Sequence, residues 1–281
     1  MSFYNLLRKK LEEKLNKELL EKLPRSYSMI GKVVIIKLKP ELEKYKKEIG
    51  EAILKILPVK TVCLLKQIHE LTRKPEIEII AGNGTETVHK EHKCIYKLDV
   101  AKVMFSKGNK FEKLRIVKQV KKGEVVVDMF AGIGYFTIPI AKLTQVKKVY
   151  AIDINPEAVH YLRENIRLNK VEDKVEIFQG DCREICVNLA GQGIKANRVL
   201  MGYIFNTHEF FPAALEIAEE SAIIHYHFLA RKEEIEKHGK ILEKIAEEKN
   251  MKLGIKEIRK IKSYAPHVYH MVMDINIEKK K

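Results

Sequence analysis

Three acidic residues stand at or just after the ends of three successive apolar runs. Asp128 lies in Val125–Met129, Asp153 follows Lys148–Ile152, and Asp181 follows Val175–Gln179. Between the first two lies Asp128-Met-Phe-Ala-Gly-Ile-Gly134, a buried strand turning through Gly132 and Gly134, where a missing side chain lets a ligand approach the backbone. The turn lacks the third glycine of a dinucleotide fingerprint, because Thr137 holds that position. Asp128 would repel a diphosphate and suits a cationic amino-acid group instead. Asp153, about 20 residues beyond the turn, stands where a carboxylate accepts hydrogen bonds from ribose hydroxyls. Asp181, in Phe178-Gln-Gly-Asp-Cys182, is placed to accept from an adenine amino group.

One such acid is explained by a turn or a helix cap. Three at the carboxyl ends of consecutive strands mark the crest where open α/β sheets bind ligands. A nucleoside joined to an amino acid, without phosphate, is S-adenosylmethionine. The competing ligand is a nicotinamide dinucleotide.

The elements that must position these residues form a regular series. Val125–Met129, Lys148–Ile152, Val175–Gln179, Arg198–Met201 and Ala222–His227 are predicted strands. Helices are predicted over Tyr135–Leu143, Pro156–Asn169, Glu209–Ala218 and Lys232–Glu248. Leu253–Ser263 and His267–Ile277 meet at Ala265-Pro266 as a closing antiparallel pair. The expected fold is α/β: a seven-stranded, mostly parallel, Rossmann-like sheet covered on both faces.

Upstream, Leu7, Leu11, Leu15 and Leu19 predict one amphipathic helix ending at Pro24, and Glu41–Leu57 a second. Val33–Lys37, Thr61–Leu65, Glu76–Ala81, Thr87–Lys90 and Cys94–Leu98 read as strands, and Asn109–Val120 as a helix. The expected domains are an α+β unit over 1–98 and a cofactor-binding unit over 99–281.

The 281 residues carry a net charge of +15, and the excess is one-sided. Residues 1–122 hold 29 lysines and arginines against 15 acids, whereas 123–281 hold 24 against 23. A basic half joined to a balanced half suits a phosphate-rich partner held by the first part. Arg73, Lys74, Lys66 and the Lys90–Lys97 cluster are the candidate phosphate contacts. No apolar run is long enough to span a bilayer, and charges interrupt Met1–Pro24 too often for a signal peptide. Cys63, Cys94, Cys182 and Cys186 are too scattered for a disulfide framework or a zinc site, so reduced thiols and a cytoplasmic location are expected, with no metal. His225 and His227 alternate onto one strand face without a third ligand and read as structural or substrate-adjacent.

Asp99-Val-Ala-Lys-Val-Met-Phe-Ser106, Glu112-Lys113 and Asp128-Met-Phe-Ala-Gly-Ile-Gly134 resemble archaeal and eukaryotic tRNA enzymes that modify the guanosine 3′ to the anticodon. That family has a class I methyltransferase fold and two branches, a guanosine N1-methyltransferase and a wybutosine-pathway aminocarboxypropyltransferase. The methyltransferase has an Asn-Leu-Pro-like signature after the fourth strand. Here the segment is Met201-Gly-Tyr-Ile-Phe-Asn-Thr-His-Glu-Phe-Phe-Pro212, which resembles the other branch, as do Ile224-His-Tyr-His227 and Tyr264-Ala-Pro266. The short leader also suits that branch, whose members tend to lack the extra N-terminal domain of archaeal methyltransferases.

The resemblance implies transfer of a 3-amino-3-carboxypropyl group from S-adenosylmethionine to C7 of 4-demethylwyosine in tRNA(Phe), the alternative being N1-methylation of guanosine. It implies that Ser106 and Lys113 meet the methionine end, Asp153 the ribose, and Asp181 and Cys182 the adenine. Asp128, Phe130, Gly132 and Gly134 complete the cofactor site. Lys113 replaces the family's usual Arg, keeping the charge but losing the bidentate fork. Arg73, Lys74, Tyr203, Asn206 and His208 are the candidate tRNA-binding residues. No general base is assigned, and a monomer is the expected state.

Overall fold

A computed structural model of the chain describes residues 1–68, 75–105 and 107–280. These divide into two compact units, residues 1–105 and 106–281. Within the first unit Val100, Val103 and Phe105 are buried, and Phe105 packs edge-on against His89 and Tyr96.

The first unit opens with α1 (Phe3–Leu11) and α2 (Lys17–Glu21), and not with one helix to Pro24. Asn16 explains the break, since its side chain accepts from the Leu19 amide at 3.0 Å and so starts a new helix. Leu7, Leu11, Leu15, Leu20 and Leu23 are nonetheless all buried. There follow β1 (Ser28–Ile30), β2 (Val33–Ile36), α3 (Lys46–Ile56), β3 (Thr61–Ile68) and β4 (Pro75–Gly82). They form a sheet ordered β1-β2-β3-β4 whose only parallel pair is β2–β3. A separate hairpin, β5 (Glu86–Glu91) and β6 (Cys94–Asp99), turns at His92-Lys93, both with the positive φ that a type I′ turn requires.

The second unit begins with α4 (Lys110–Gln119), then β7 (Val125–Asp128), α5 (Thr137–Leu143), β8 (Lys148–Asp153) and α6 (Pro156–Asn169). Next come β9 (Val175–Gln179), α7 (Cys182–Gly191), β10 (Ala196–Met201), α8 (Phe211–Ile217) and β11 (Ala218–Ala230). It closes with α9 (Ile235–Glu248), β12 (Met251–Ala265) and β13 (Val268–Lys279). The seven strands run β12-β13-β11-β10-β7-β8-β9, parallel from β11 to β9 and antiparallel over the last three. The expected α/β sheet of seven mostly parallel strands is present.

Pleating sends alternate side chains to opposite faces. Val126, Leu200, Ile116, Phe136 and Leu162 form a core with α4, α5 and α6 on one side. Val127, Val199, Met201, Tyr226 and Phe228 form a larger core with α7, α8 and α9 on the other. The helix α7 was not expected from the sequence, although Asp181 caps it and Glu184 follows three positions on, a helix-start pattern. All four cysteines are buried and free, and no helix among the described residues is long and apolar enough to cross a membrane.

Candidate functional site

The strand order reverses direction between β10 and β8 on either side of β7, and the loops after β7, β8, β9 and β10 meet at that crest. Gly132 has φ +57°, and a Cβ there would stand 2.4 Å from the Tyr135 ring, so only glycine lets the turn close. The Gly132 amide donates to Asp153 Oδ2 at 2.7 Å, and the Asn155 amide to Asp153 Oδ1 at 2.9 Å. One carboxylate thus ties the first loop to the second. It stays partly exposed with unused lone pairs, and burial pushes its pKa up against those two hydrogen bonds.

Asp128 is placed differently. It is fully buried, accepts from the Thr137 hydroxyl at 2.7 Å and from the Phe130 amide at 3.4 Å, and so braces the turn from inside. Burial pushes its pKa up to about 7 despite those hydrogen bonds. Its role here is internal to the loop. Asp181 is the N-cap of α7, accepting from the Arg183 amide at 2.8 Å, and the Arg183 guanidinium holds its pKa down. Cys182 is buried beside it in the first turn of α7, and burial raises its thiol pKa.

Lys113 on α4 is 1% exposed, and its ammonium lies 5.5 Å from the centroid of the Tyr135 ring, which follows Gly134. The structure therefore brings Lys113 to the glycine turn. A buried polar network behind α4 fixes that helix. Arg115 forks onto both Glu112 and Asp274, with Nη2 2.6 Å from Glu112 Oε1 and 2.9 Å from Asp274 Oδ1. His225 Nδ1 is 2.7 Å from Asp274 Oδ1, and its Nε2 is 2.7 Å from Nη1 of the fully buried Arg198.

Arginine only donates, so His225 accepts at Nε2 and donates from Nδ1 as the neutral imidazole. Burial, outweighing Asp274, lowers its pKa accordingly. Burial alone would raise Asp274, but His225 and Arg115 outweigh it and hold the carboxylate far below its ordinary range. Sequence reading missed this network apart from placing His225 on a shared face. His227 has its Nδ1 2.9 Å from His270 Nε2, its ring beside Phe136 and its own Nε2 buried without a partner. Among the described residues no cluster of three His, Cys, Asp or Glu has the spacing of a metal site.

The other side of the crest is aromatic. Phe130 stacks on Tyr203 at 5.2 Å and 19°, and Phe210 meets Phe130 edge-on at 5.0 Å. The Arg183 guanidinium lies 5.0 Å from the Phe210 ring. Asn206 is exposed and takes φ +47°, one of the few left-handed non-glycine positions, which shapes the loop between β10 and α8. Thr207 donates its hydroxyl to the Tyr203 carbonyl at 3.0 Å. His208 turns inward: its Nδ1 is buried without a partner and its main chain hydrogen-bonds the Tyr226 hydroxyl. Of the three expected base-binding residues, Tyr203 joins the ring cluster and His208 points into the α8–α9 side. Phe210 and Arg183 were not foreseen. Ser106, Arg73 and Lys74 lie outside the described residues. In the first unit Lys66 pairs with Glu78 at 3.3 Å and Lys97 with Glu86 at 3.2 Å, while Lys90 and Lys93 are exposed.

A doubly wound sheet with a glycine turn after its first central strand and a carboxylate at the end of the next has the architecture of the class I methyltransferase fold. Residues 87–254 match the TRM5/TYW2 methyltransferase domain and residues 7–85 the TYW2 N-terminal domain. The chain belongs to the TRM5/TYW2 family. It is 43% identical over 97% of its length to the tRNA(Phe) (4-demethylwyosine(37)-C(7)) aminocarboxypropyltransferase of Pyrococcus horikoshii, covering 96% of that protein. To the tRNA (guanine(37)-N(1))-methyltransferase Trm5b of Methanocaldococcus jannaschii it is 38% identical over 99% of its length, covering 78% of that protein. The crystal structure of Pyrococcus horikoshii TYW2 in complex with MeSAdo matches with a TM-score of 0.87 and 39% identity, over 99% of this chain and 100% of that one.

Proposed function

We propose that this chain transfers the 3-amino-3-carboxypropyl group of S-adenosylmethionine to C7 of 4-demethylwyosine at position 37 of tRNA(Phe). The observation that carries this reading is the end-to-end match to the aminocarboxypropyltransferase, 97% of one chain on 96% of the other. Met201-Gly-Tyr203 in place of an Asn-Leu-Pro-like segment points the same way.

The residues at the crest suit the donor. A turn without Cβ at Gly132 admits a ligand close to the backbone, and the partly exposed Asp153 offers acceptors for two hydroxyls. Lys113 supplies a cation for a carboxylate, while Thr137 stands where a dinucleotide-binding turn carries its third glycine. Bound S-adenosylmethionine would supply a sulfonium leaving group: C7 bonds to the γ-carbon as the carbon–sulfur bond breaks, that bond's electron pair leaves on the sulfur of methylthioadenosine, and the C7 proton passes to solvent to restore the aromatic base.

The protein's task is then orientation. Asp153 holds the ribose, and Asp181 with Cys182 borders the adenine. Phe130 and Gly134 close the pocket wall, and Asp128 keeps the turn in shape. Ser106 and Lys113 restrain the amino-acid arm so that its γ-carbon faces the base. Such positioning is worth about 7–11 kcal/mol of a barrier. Tyr203 and Asn206 border the incoming base, with Tyr203 as the stacking ring. His208 acts through the loop it anchors. Arg73, Lys74, Lys66, Lys90 and Lys93 hold tRNA phosphates, so affinity falls steeply with salt. Incubation with labelled S-adenosylmethionine and tRNA carrying 4-demethylwyosine gives methylthioadenosine. A yield of S-adenosylhomocysteine alone assigns the chain to the methyltransferase branch and rejects this reading.

A further inference from the structure

Residues 123–281 are nearly balanced, with 24 lysines and arginines against 23 acids, yet their basic residues are not spread evenly. The edge strand β12 carries Lys252, Lys256, Arg259, Lys260 and Lys262 against a single acid, Glu257. Glu257 is already engaged, 2.8 Å from Arg259 and 3.7 Å from Arg115. A strong positive line therefore runs along an open sheet edge and ends at the tip of the β12–β13 hairpin. Lysines on an edge strand also discourage sheet-to-sheet pairing. That role asks nothing of aromatic rings, and rings are what the tip holds.

Tyr264 is 41% exposed and meets Phe205 edge-on at 6.1 Å. Phe205 meets Tyr203 at 5.7 Å, and Tyr203 stacks on Phe130 beside the glycine turn. A continuous run of rings thus joins the hairpin tip to the cofactor crest, each step within aromatic contact distance. At the start of α4 a second ring stands out: Phe111 is 84% exposed. The turn just before it, Lys107–Asn109, packs on β12. A Cβ on Gly108 would lie 2.7 Å from Lys262 Cδ, so glycine is what lets that lysine lie against the turn.

We infer that the β12 edge, with Tyr264 and Phe111, is a second RNA-contact surface, taking the single-stranded nucleotides that flank the target base. Aromatic faces for successive bases beside a basic track for the backbone are the two components of single-strand binding. The ring run fixes where the strand enters, since a base stacked on Tyr264 has its neighbour directed along Phe205 toward Tyr203. The inference rests on tRNA being the substrate, as proposed above, but not on which group is transferred.

The test measures binding and turnover separately, with the full-length protein and a fluorescently labelled anticodon stem–loop. Tyr264→Ala raises both the Kd and the KM for RNA about tenfold, within the range of one lost stacking contact, while kcat and the affinity for S-adenosylmethionine stay unchanged. Phe111→Ala acts in the same direction, and Tyr264→Phe restores binding to within about twofold because stacking needs the ring and not the hydroxyl. Lys256→Gln with Lys260→Gln lowers the slope of log affinity against log salt by about 1.4, the value for two single-strand phosphate contacts. Unchanged affinity in Tyr264→Ala together with an unchanged salt slope overturns the inference. So does sedimentation showing a wild-type dimer that the lysine variants disrupt, which would give the edge to a second copy of the chain. A wild-type enzyme that binds the RNA but releases only S-adenosylhomocysteine rejects the proposed reaction and leaves this surface standing.

Discussion

The two sides of the crest are built on opposite principles. Around the glycine turn and behind α4, polar groups satisfy one another before any ligand arrives: Asp153 ties Gly132 to Asn155, Asp128 holds Thr137, and Arg115, Asp274, His225 and Arg198 lock α4 against β10, β11 and β13. In the loop after β10 and at the tip of the β12–β13 hairpin, aromatic rings stack or meet edge-on. The first arrangement suits a small ligand that must be held in one orientation, because preorganised dipoles need no rearrangement when it binds. The second suits a large, sequence-tolerant partner whose bases present flat faces. The proposed donor site and the proposed RNA surface are thereby separated within one sheet.

The largest expected effect is on the locked side. Asp274→Ala leaves the buried Arg115 and His225 without their shared acceptor and lowers stability by about 3–5 kcal/mol. Chemical denaturation at neutral pH measures it, and a loss below 1 kcal/mol would show the network to be incidental. Asp153→Ala removes both the loop tether and the proposed ribose acceptor. It weakens S-adenosylmethionine binding about 100-fold, the worth of two hydrogen bonds to a charged group, as calorimetry reads directly. RNA affinity should not change, and a parallel loss there would erase the separation of the two sides.

A smaller effect follows from pH. Burial, reinforced by His225, lowers the pKa of His227 to about 3. Its folded value lies below the unfolded one near 6.5, so its stabilising contribution is present above that value and is lost as pH falls toward the folded pKa. Between pH 7 and pH 5 the wild type loses about 2 kcal/mol through this residue. His227→Gln lowers stability less steeply over that interval in urea titrations at the two pH values. An identical slope would mean that the imidazole is hydrated in the native state. The smallest effect belongs to the aromatic side. Tyr203→Ala raises the KM for tRNA about tenfold through a lost stack and leaves the donor Kd unchanged in calorimetry.

Much of this was legible in the sequence, for reasons specific to each element. The strands from Val125 to Met201 are short β-branched or apolar runs punctuated by glycine and acid, and their limits shift by only a residue or two. Proline at the first turn and a capping Asn155 fixed α6. The amphipathic stripe from Leu7 to Leu19 marked the right buried face but not the break, which one asparagine side chain decides. Composition could not say which acid would be sealed inside. Asp128, Asp153 and Asp181 occupy equivalent positions in the pattern, yet one is buried, one bridges two loops and one caps a helix.

The network behind α4 was beyond reach for a different reason. Its partners come from α4, β10, β11 and β13, and Arg115 and Asp274 are 159 positions apart. No local periodicity links them, and only the register of β11 on β13 sets His225 opposite Asp274. The ring run had the same obstacle, since Phe205 and Tyr264 meet only because the loop after β10 and the β12–β13 hairpin reach the same end of the sheet.

The central claim is that the locked side presents the γ-carbon of the donor, and not its methyl group, to the base held by the rings. Mass spectrometry of both products from a single incubation with tRNA bearing 4-demethylwyosine tests it most directly. Methylthioadenosine in equal amount with tRNA carrying the aminocarboxypropyl group is the predicted result. S-adenosylhomocysteine with a methylated nucleoside would contradict it.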